Sequence, residues 1–254
     1  MVGRTDAKVS VITGGASGMG RATALRLARR DDHVCVCDVN EQGLKDTAAL
    51  IESEGNSVET GMVDVRDRAR VENFCAEMIG KFGHIDCLFS NAGLNARSTV
   101  AEMTLAQWSL LIDTHVTGTF NFCQAALRHM VTRKSGAIVV TSSDFAVVGV
   151  ANAANYCAAK TALYSLTKSL ALEFAPYGIR VNAIGPGPID TPLLRANRTQ
   201  AEYENARRTF ESKLPMKRLG RPEEVAAVVD FLLSDRAAYI TGQLIQPNGG
   251  QVMW

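Results

Sequence analysis

Lys8-Val9-Ser10-Val11-Ile12, running straight into Thr13-Gly14-Gly15-Ala16-Ser17-Gly18-Met19-Gly20, is the stretch that decides the fold. A short β-branched apolar run meets a glycine-rich turn, and a helical pattern follows from about Gly18 to Arg30. Glycines at 14, 18 and 20 let the backbone turn tightly and approach a pyrophosphate. The helix N-terminus behind them offers free N–H groups and a partial positive charge. Such a loop is weak evidence alone. It becomes strong when it joins a strand to a helix and an acid follows about 20 residues on. Asp38, at the end of the run His33-Val34-Cys35-Val36-Cys37, is that acid.

Outward from this unit, β-rich runs at 57–63, 86–90, 136–141, 180–184 and 243–246 alternate with helical patterns at 41–54, 66–82, 104–134, 152–175 and 223–233. That alternation implies an α/β fold, a single doubly wound Rossmann-type domain with a seven-stranded parallel sheet. Repeats, low-complexity tracts and linkers are absent from the 254 residues, so 1–254 reads as one cofactor-binding catalytic domain. The segment 188–219 breaks the rhythm, with no strand and with Arg195, Arg198, Arg207, Arg208, Lys213 and Lys217. It follows the C-terminal end of a strand, where ligands bind in open sheets, and reads as a substrate-binding lid. The alternative is a plain solvated helical pair.

A net charge of +1 argues against binding nucleic acid or a membrane surface through bulk electrostatics. No apolar run approaches the roughly 18 residues that a membrane span needs. Met1-Val2-Gly3-Arg4-Thr5-Asp6 lacks the apolar stretch of a signal peptide, so a cytoplasmic location is expected. The six cysteines form no CxxC pair and no metal-ligand spacing, so no metal site is expected. Buried free thiols are the expected state, and Cys157, beside Tyr156, is assigned no role.

The carboxylate of Asp38 can accept from both ribose hydroxyls of NAD, and it repels the 2′-phosphate of NADP. Ser17, Met19 and Val39 complete that region without a cation, and Arg21 is expected to point along its helix. NAD is the expected cofactor. Asp64-Val65, after the third strand, would meet adenine; the alternative is that Asp64 caps the next helix. A second constellation supplies the chemistry. Tyr156 precedes Lys160 by four positions, one helical turn, and Ser143 lies upstream after a strand. A phenol of pKa about 10 is a poor base at neutral pH, and a nearby ammonium is expected to lower that value. Ser142 is the competing hydroxyl, and spacing favours Ser143.

TGxxxGxG at 13–20, Asp64, Asn91-Ala92-Gly93, Ser143, Tyr156-x-x-x-Lys160, Asn182 and Pro186-Gly187 together resemble the short-chain dehydrogenase/reductase family over nearly the whole chain. The resemblance implies that Tyr156 is the acid/base exchanging a proton with the substrate oxygen. It implies that Lys160 holds the nicotinamide ribose, and that Ser143 polarises the reacting oxygen. Asn91, Ala92 and Gly93 would line the cofactor. Pro186, Gly187, Ile189 and Thr191 would grip the carboxamide, with transfer from the pro-S face. A homotetramer is also implied, with apolar faces at Phe120, Phe122, Leu163, Leu166 and Leu170, and with Val252-Met253-Trp254 docking on a neighbour.

The chain departs from the family pattern at His115-Val116-Thr117-Gly118, where an Asn-x-x-Gly is usual. Either the imidazole of His115 maintains the proton relay, or it is packed in a helix kink. The substrate pocket is expected to include Leu94, Asp144, Ala146, Val150, Asn152, Gly187, Leu193 and Leu194. Asp144 could recognise a substrate hydroxyl or amine, or face solvent, and the lid arginines could attract an anionic group. The expected function is NAD-dependent interconversion of a small polar secondary alcohol and its ketone. Its rivals are a 3-oxoacyl-thioester reductase and a non-enzymatic NAD-binding protein.

Overall fold

Seven parallel strands form one sheet in the order β3-β2-β1-β4-β5-β6-β7 in the computed structural model, which describes residues 7–196 and 198–253. The strands are β1 (Val9–Thr13), β2 (His33–Asp38), β3 (Val58–Met62), β4 (Cys87–Ser90), β5 (Gly136–Thr141), β6 (Ile179–Ile184) and β7 (Leu244–Ile245). The hexapeptide Met1–Asp6 and Trp254, both read in the sequence, lie outside the described residues.

The sheet has helices on both faces. α1 (Gly18–Ala28), α2 (Glu41–Ser53) and α9 (Pro222–Leu233) supply apolar side chains to one core layer, among them Leu27, Ile51 and Val229. α3 (Arg68–Phe82), α5 (Gly118–Arg133) and α6 (Ala154–Phe174) cover the other, with Phe74, Phe122 and Leu163 fully buried. Strands buried on both faces read as continuous apolar runs, as VSVIT and HVCVCD do. Cys35, Cys37, Cys75, Cys87 and Cys123 are buried in these layers as free thiols.

The chain order reverses between β1 and β4, which pair through Ser10–Cys87 and Val11–Leu88. A crevice opens there outside the strands' C-terminal ends, where ligands bind in such sheets. Three loops converge on it. Thr13 Oγ1 accepts from the N–H groups of Asn91 and Ala92 at 2.9 Å each, Asn91 Nδ2 donates to Thr13 O and Gly14 O, and Thr141 Oγ1 donates to Asn91 Oδ1. The ends of β1, β4 and β5 are thus locked together.

Several expectations need correction. The helix expected over 104–134 is three pieces: α4 (Leu105–Ile112), a π-helical turn (Asp113–Thr117), and α5. The helix expected from 152 begins at Ala154, because Asn152 adopts a left-handed φ of 61°. For Asp64 it is the capping alternative that falls, since Asp64 does not cap α3. Asp67 does, accepting from Arg70 N at 3.0 Å. Phe122 and Leu163 belong to the core and not to a subunit face. Of the apolar residues named for that face, Phe120 is exposed, while Leu166 and Leu170 lean on the core. The segment 188–219 contains α7 (Pro192–Arg195) and α8 (Gln200–Lys213), the latter opened by a Thr199/Glu202 capping box.

Candidate active site

The glycine turn builds the first half of the site. Gly14 and Gly18 hold left-handed φ values of 68° and 53°, which a side chain would oppose. At Gly20 a Cβ would stand 2.1 Å from the Gly14 carbonyl oxygen. Ser17, the residue before α1, makes no side-chain cap, so the first-turn N–H groups are not met by it. The result is a cradle without Cβ atoms at a helix N-terminus, which fits a pyrophosphate.

That cradle forms the floor of a cavity of about 460 Å³. Gly14, Ser17, Gly18, Met19, Asp38, Val39, Asp64, Val65, Asn91, Ala92, Gly93, Leu94, His115, Tyr156, Lys160 and Thr191 all line it. The carboxylate of Asp38 accepts from Ala16 N at 3.1 Å and Asn40 N at 3.0 Å, which fixes its direction at the cavity edge. Arg21 turns away to Thr47, Gly43 and Ala16 on the far side of the turn. Arg66, at the other end of the cavity, is held by Asp64, and that pairing keeps the Asp64 carboxyl below the usual carboxylate range. No free cation therefore stands beside Asp38 among these arginines.

A second cavity, of about 130 Å³, adjoins the first and shares Met19, Thr141, Tyr156, Thr191 and Leu193 with it. Tyr156 therefore stands where the two meet. α6 begins two residues earlier, and Asn155 fastens that end: its Oδ1 accepts from Tyr156 N at 2.8 Å and its Nδ2 donates to Ala96 O. Asn155 is fully buried and was not singled out in the sequence; a polar residue at the start of an otherwise apolar helix was the available signal. One turn along, the buried Lys160 donates from Nζ to Thr141 O at 2.7 Å and lies 5.5 Å from the Tyr156 ring centroid.

The competing serines separate cleanly. Ser142 Oγ donates to Lys160 O at 2.8 Å, whereas Ser143 is the serine whose hydroxyl acts on the Tyr156 phenol, favouring its ionised form. The protonation expectation changes, however. Burial pushes Tyr156 up to about 12, against a lowering by the Ser143 hydroxyl and a further raise from the Asp144 charge. Burial also pulls Lys160 down to about 7. An ammonium whose own charge is opposed by desolvation does not lower the phenol on its own.

His115 sits inside the π-helical turn, nearly fully buried and edge-on to Tyr156, with ring centroids 5.7 Å apart. Such turns recur at functional sites. Nε2 lies 2.8 Å from Leu94 O, and donation there leaves Nδ1 as a buried acceptor without a partner. Burial first, then the Lys160 charge, brings its pKa to about 3, so the ring is neutral. The geometry favours the packed reading: His115 ties the loop after β4 to the helix, with its ring against Gly93. His115→Leu should then cost about 1–3 kcal/mol through the unpartnered Leu94 carbonyl, and His115→Asn less. Thermal unfolding measures this; equal midpoints for all three proteins would contradict it.

The smaller cavity differs from the pocket expected from the sequence. Ser143, Asp144, Pro186, Gly187, Ile189, Leu193 and Leu194 line it, but Leu94 faces only the larger cavity. Asn152, Val150 and Ala146 are not among the lining residues. The left-handed turn at Asn152 leaves that side chain exposed and directs its carbonyl to Ser98 N. Asn95, Arg97, Phe145 and Phe210 take their places. Arg97 is the cation that the sequence reading missed, because nothing local marks a loop residue as folding over a pocket. Three of the four arginines named in 188–219 are already engaged: Arg195 with Asp190, Arg198 with Leu194 O, and Arg207 with Glu211. Asp144 does not face solvent, being only 2% exposed.

The described residues contain no group of His, Cys, Asp and Glu able to hold a metal ion and no helix long and apolar enough to cross a membrane.

Residues 14–251 match a family model described as enoyl-(acyl carrier protein) reductase. The chain is 36% identical over 250 residues to the 3-oxoacyl-(acyl-carrier-protein) reductase of Thermotoga maritima, covering 98% of this chain and 100% of that one. It is 39% identical over 244 residues to the cis-4-hydroxycyclohexanecarboxylate dehydrogenase of Sinomonas cyclohexanicum, covering 96% of each. The crystal structure of levodione reductase superposes with a TM-score of 0.92 at 35% identity, covering 98% of both chains.

Proposed function

Since the chain belongs to the short-chain dehydrogenase/reductase family and is an oxidoreductase acting on CH–OH groups, we propose that it is NAD-dependent and interconverts a small polar secondary alcohol and its ketone. The observation that carries this reading is the position of Tyr156, at the junction of the two cavities with Ser143 and Lys160 around it.

The larger cavity holds the dinucleotide, with the pyrophosphate on the cradle of Gly14, Gly18 and Gly20 and the adenine ribose on Asp38. When bound, NAD supplies the hydride acceptor and, in its oxidised form, a positive charge near the phenol. Everything else falls to the chain. Tyr156 takes the proton from the alcohol oxygen in oxidation and returns it in reduction, because hydride loss leaves that oxygen with a proton to shed. Lys160 holds the nicotinamide ribose from a fixed base on Thr141 O. Ser143 hydrogen-bonds the reacting oxygen. Pro186, Gly187, Ile189 and Thr191 bound the nicotinamide end, and Leu193, Leu194 and Phe210 of the lid close over the substrate. Arg97 and Asn95 offer donors to its polar substituent.

Two like charges at Asp38 and a 2′-phosphate should cost several kcal/mol, so kcat/KM with NAD should exceed that with NADP by about a hundredfold or more. Paired initial rates check this, and Asp38→Ser should shrink the ratio; a preference for NADPH would overturn the reading of Asp38. A 3-oxoacyl-thioester reductase remains the second reading, favoured by the Thermotoga relative. An NADH absorbance screen of alcohols, sugars, hydroxy acids, steroids and acyl thioesters separates the two. A cytoplasmic homotetramer completes the proposal, with exposed Phe120 and Leu172 available to subunit contacts; light scattering reads the assembly.

A further inference from the structure

Ser143 carries one hydroxyl proton and has two claimants for it. Its Oγ donates to Asp144 Oδ1 at 3.1 Å in a buried hydrogen bond, and the same hydroxyl is the group that favours ionisation of the Tyr156 phenol. One of its two lone pairs accepts from Phe145 N at 3.1 Å. Asp144 itself is buried, and its second oxygen, Oδ2, has no partner. Asp144 borders the smaller cavity, but the one side-chain partner its carboxylate oxygens have is the Ser143 hydroxyl. The carboxylate is placed to act on Ser143.

We propose that Asp144 is a positioning residue that decides which way the Ser143 hydroxyl proton points, and so whether Ser143 can donate to the reacting oxygen. As a carboxylate, Asp144 accepts the proton, and Ser143 presents only lone pairs to the active site. As a neutral acid, Asp144 donates to Ser143 Oγ, and the Ser143 proton turns toward the substrate oxygen and Tyr156. No bond other than hydrogen bonds is made or broken. The transition state carries developing negative charge on that oxygen, so a donor there lowers the barrier in both directions.

The surroundings suit a group that changes charge near neutrality. Burial raises the Asp144 carboxyl to about 6, partly offset by the Ser143 hydroxyl and adjacent backbone N–H groups. Tyr156 from α6 and Arg97 from the loop after β4 border the same cavity as Asp144, with Cys157 next to Tyr156, while Lys160 opens onto the larger cavity. The loop after β6 presents Pro186 to Ile189, none of them titratable, with the Pro186 carbonyl accepting from Asp144 N, while 188–219 also presents Leu194 and Phe210. Asp190, the lid acid nearest in sequence to that loop, is tied to Arg195 and Tyr203.

This inference rests on the dehydrogenase reading, and its test has two arms that fail separately. In the first, kcat/KM for ketone reduction with NADH is followed against pH. The wild type should lose about tenfold as pH rises from below 6 to 8, because ionised Asp144 captures the donor proton. Asp144→Asn, whose amide donates to Ser143 Oγ, should keep only the smaller decline that Lys160, with a pKa of about 7, imposes on every variant, and should exceed the wild type severalfold at pH 8. Asp144→Ala should do the same. A wild-type-sized loss between pH 6 and 8 in either variant, or a variant slowed equally at every pH, overturns the inference while leaving the dehydrogenase reading intact. The second arm needs no substrate. With ¹³C-carboxyl-labelled aspartate, the signal titrating near 6 should move to a higher midpoint in Ser143→Ala, which removes the hydroxyl that favours the charged carboxylate. An unmoved midpoint overturns the inference, whatever the substrate screen finds.

Discussion

Tyr156→Phe is expected to lower kcat by about 10²–10⁴-fold, the range general acid–base groups contribute, while NAD affinity stays within about twofold. The substitution deletes one oxygen. The ring keeps its edge-on contact with His115 and its place beneath Lys160, so neither the start of α6 nor the cavity wall should shift. Because the lost interaction exists with the reacting oxygen and not with the adenine end, kcat and kcat/KM should fall together. Initial rates from NADH absorbance and a fluorescence titration of NADH measure the two quantities. Wild-type kcat in the variant would remove Tyr156 from the chemistry. Loss of NADH binding as well would mean that the phenol is structural.

Gly20→Ala should have the next largest effect, this time on cofactor binding. The added methyl would sit 2.1 Å from Gly14 O and 2.9 Å from Asn91 Nδ2. The oxygen is backbone, in a residue already at φ 68° and already accepting from Asn91 Nδ2. Something must move, and every candidate belongs to the cradle. Overpacking of this kind costs about 1–3 kcal/mol. In a chain of this size each kcal/mol shifts the unfolding midpoint by about 2–4 °C. NADH titration should fail to saturate at concentrations that fill the wild type. Gly80→Ala is the control: it lies on the exposed side of α3 with nothing within 4 Å of the added carbon, and it should be neutral or slightly stabilising. Equal NADH affinity in Gly20→Ala and the wild type would contradict the cradle's assignment.

Much of the fold was legible because its signals are local. The apolar runs at 9–13 and 33–38 are strands buried on both faces, and their continuity reports that burial directly. Glycines at 14, 18 and 20 mark the turn for steric reasons that any reader of the chain can apply. What was not legible depends on tertiary company. The break at 113–117 cannot be seen in a helical pattern, since the extra residue accommodates His115 against a loop from elsewhere in the chain. Phe122 and Leu163 looked like a subunit face because a two-sided helix conceals which stripe meets the sheet. The same limit applies to charge. Tyr156 and Lys160 at one-turn spacing suggested a lowered phenol, but desolvation acts on both groups and outweighs their mutual effect. Asp144 likewise read as either a substrate contact or a solvent-facing acid, and only packing shows it buried beside the smaller cavity and bonded to Ser143.

The most direct test of the central claim is a crystal structure of this chain with NAD bound. The adenine ribose is expected on Asp38, the pyrophosphate over Gly14–Gly20, the nicotinamide ribose on Lys160, and the nicotinamide ring beside the Tyr156 hydroxyl. A nicotinamide ring found away from that hydroxyl, with the dinucleotide reversed or seated outside the crevice between β1 and β4, would contradict it.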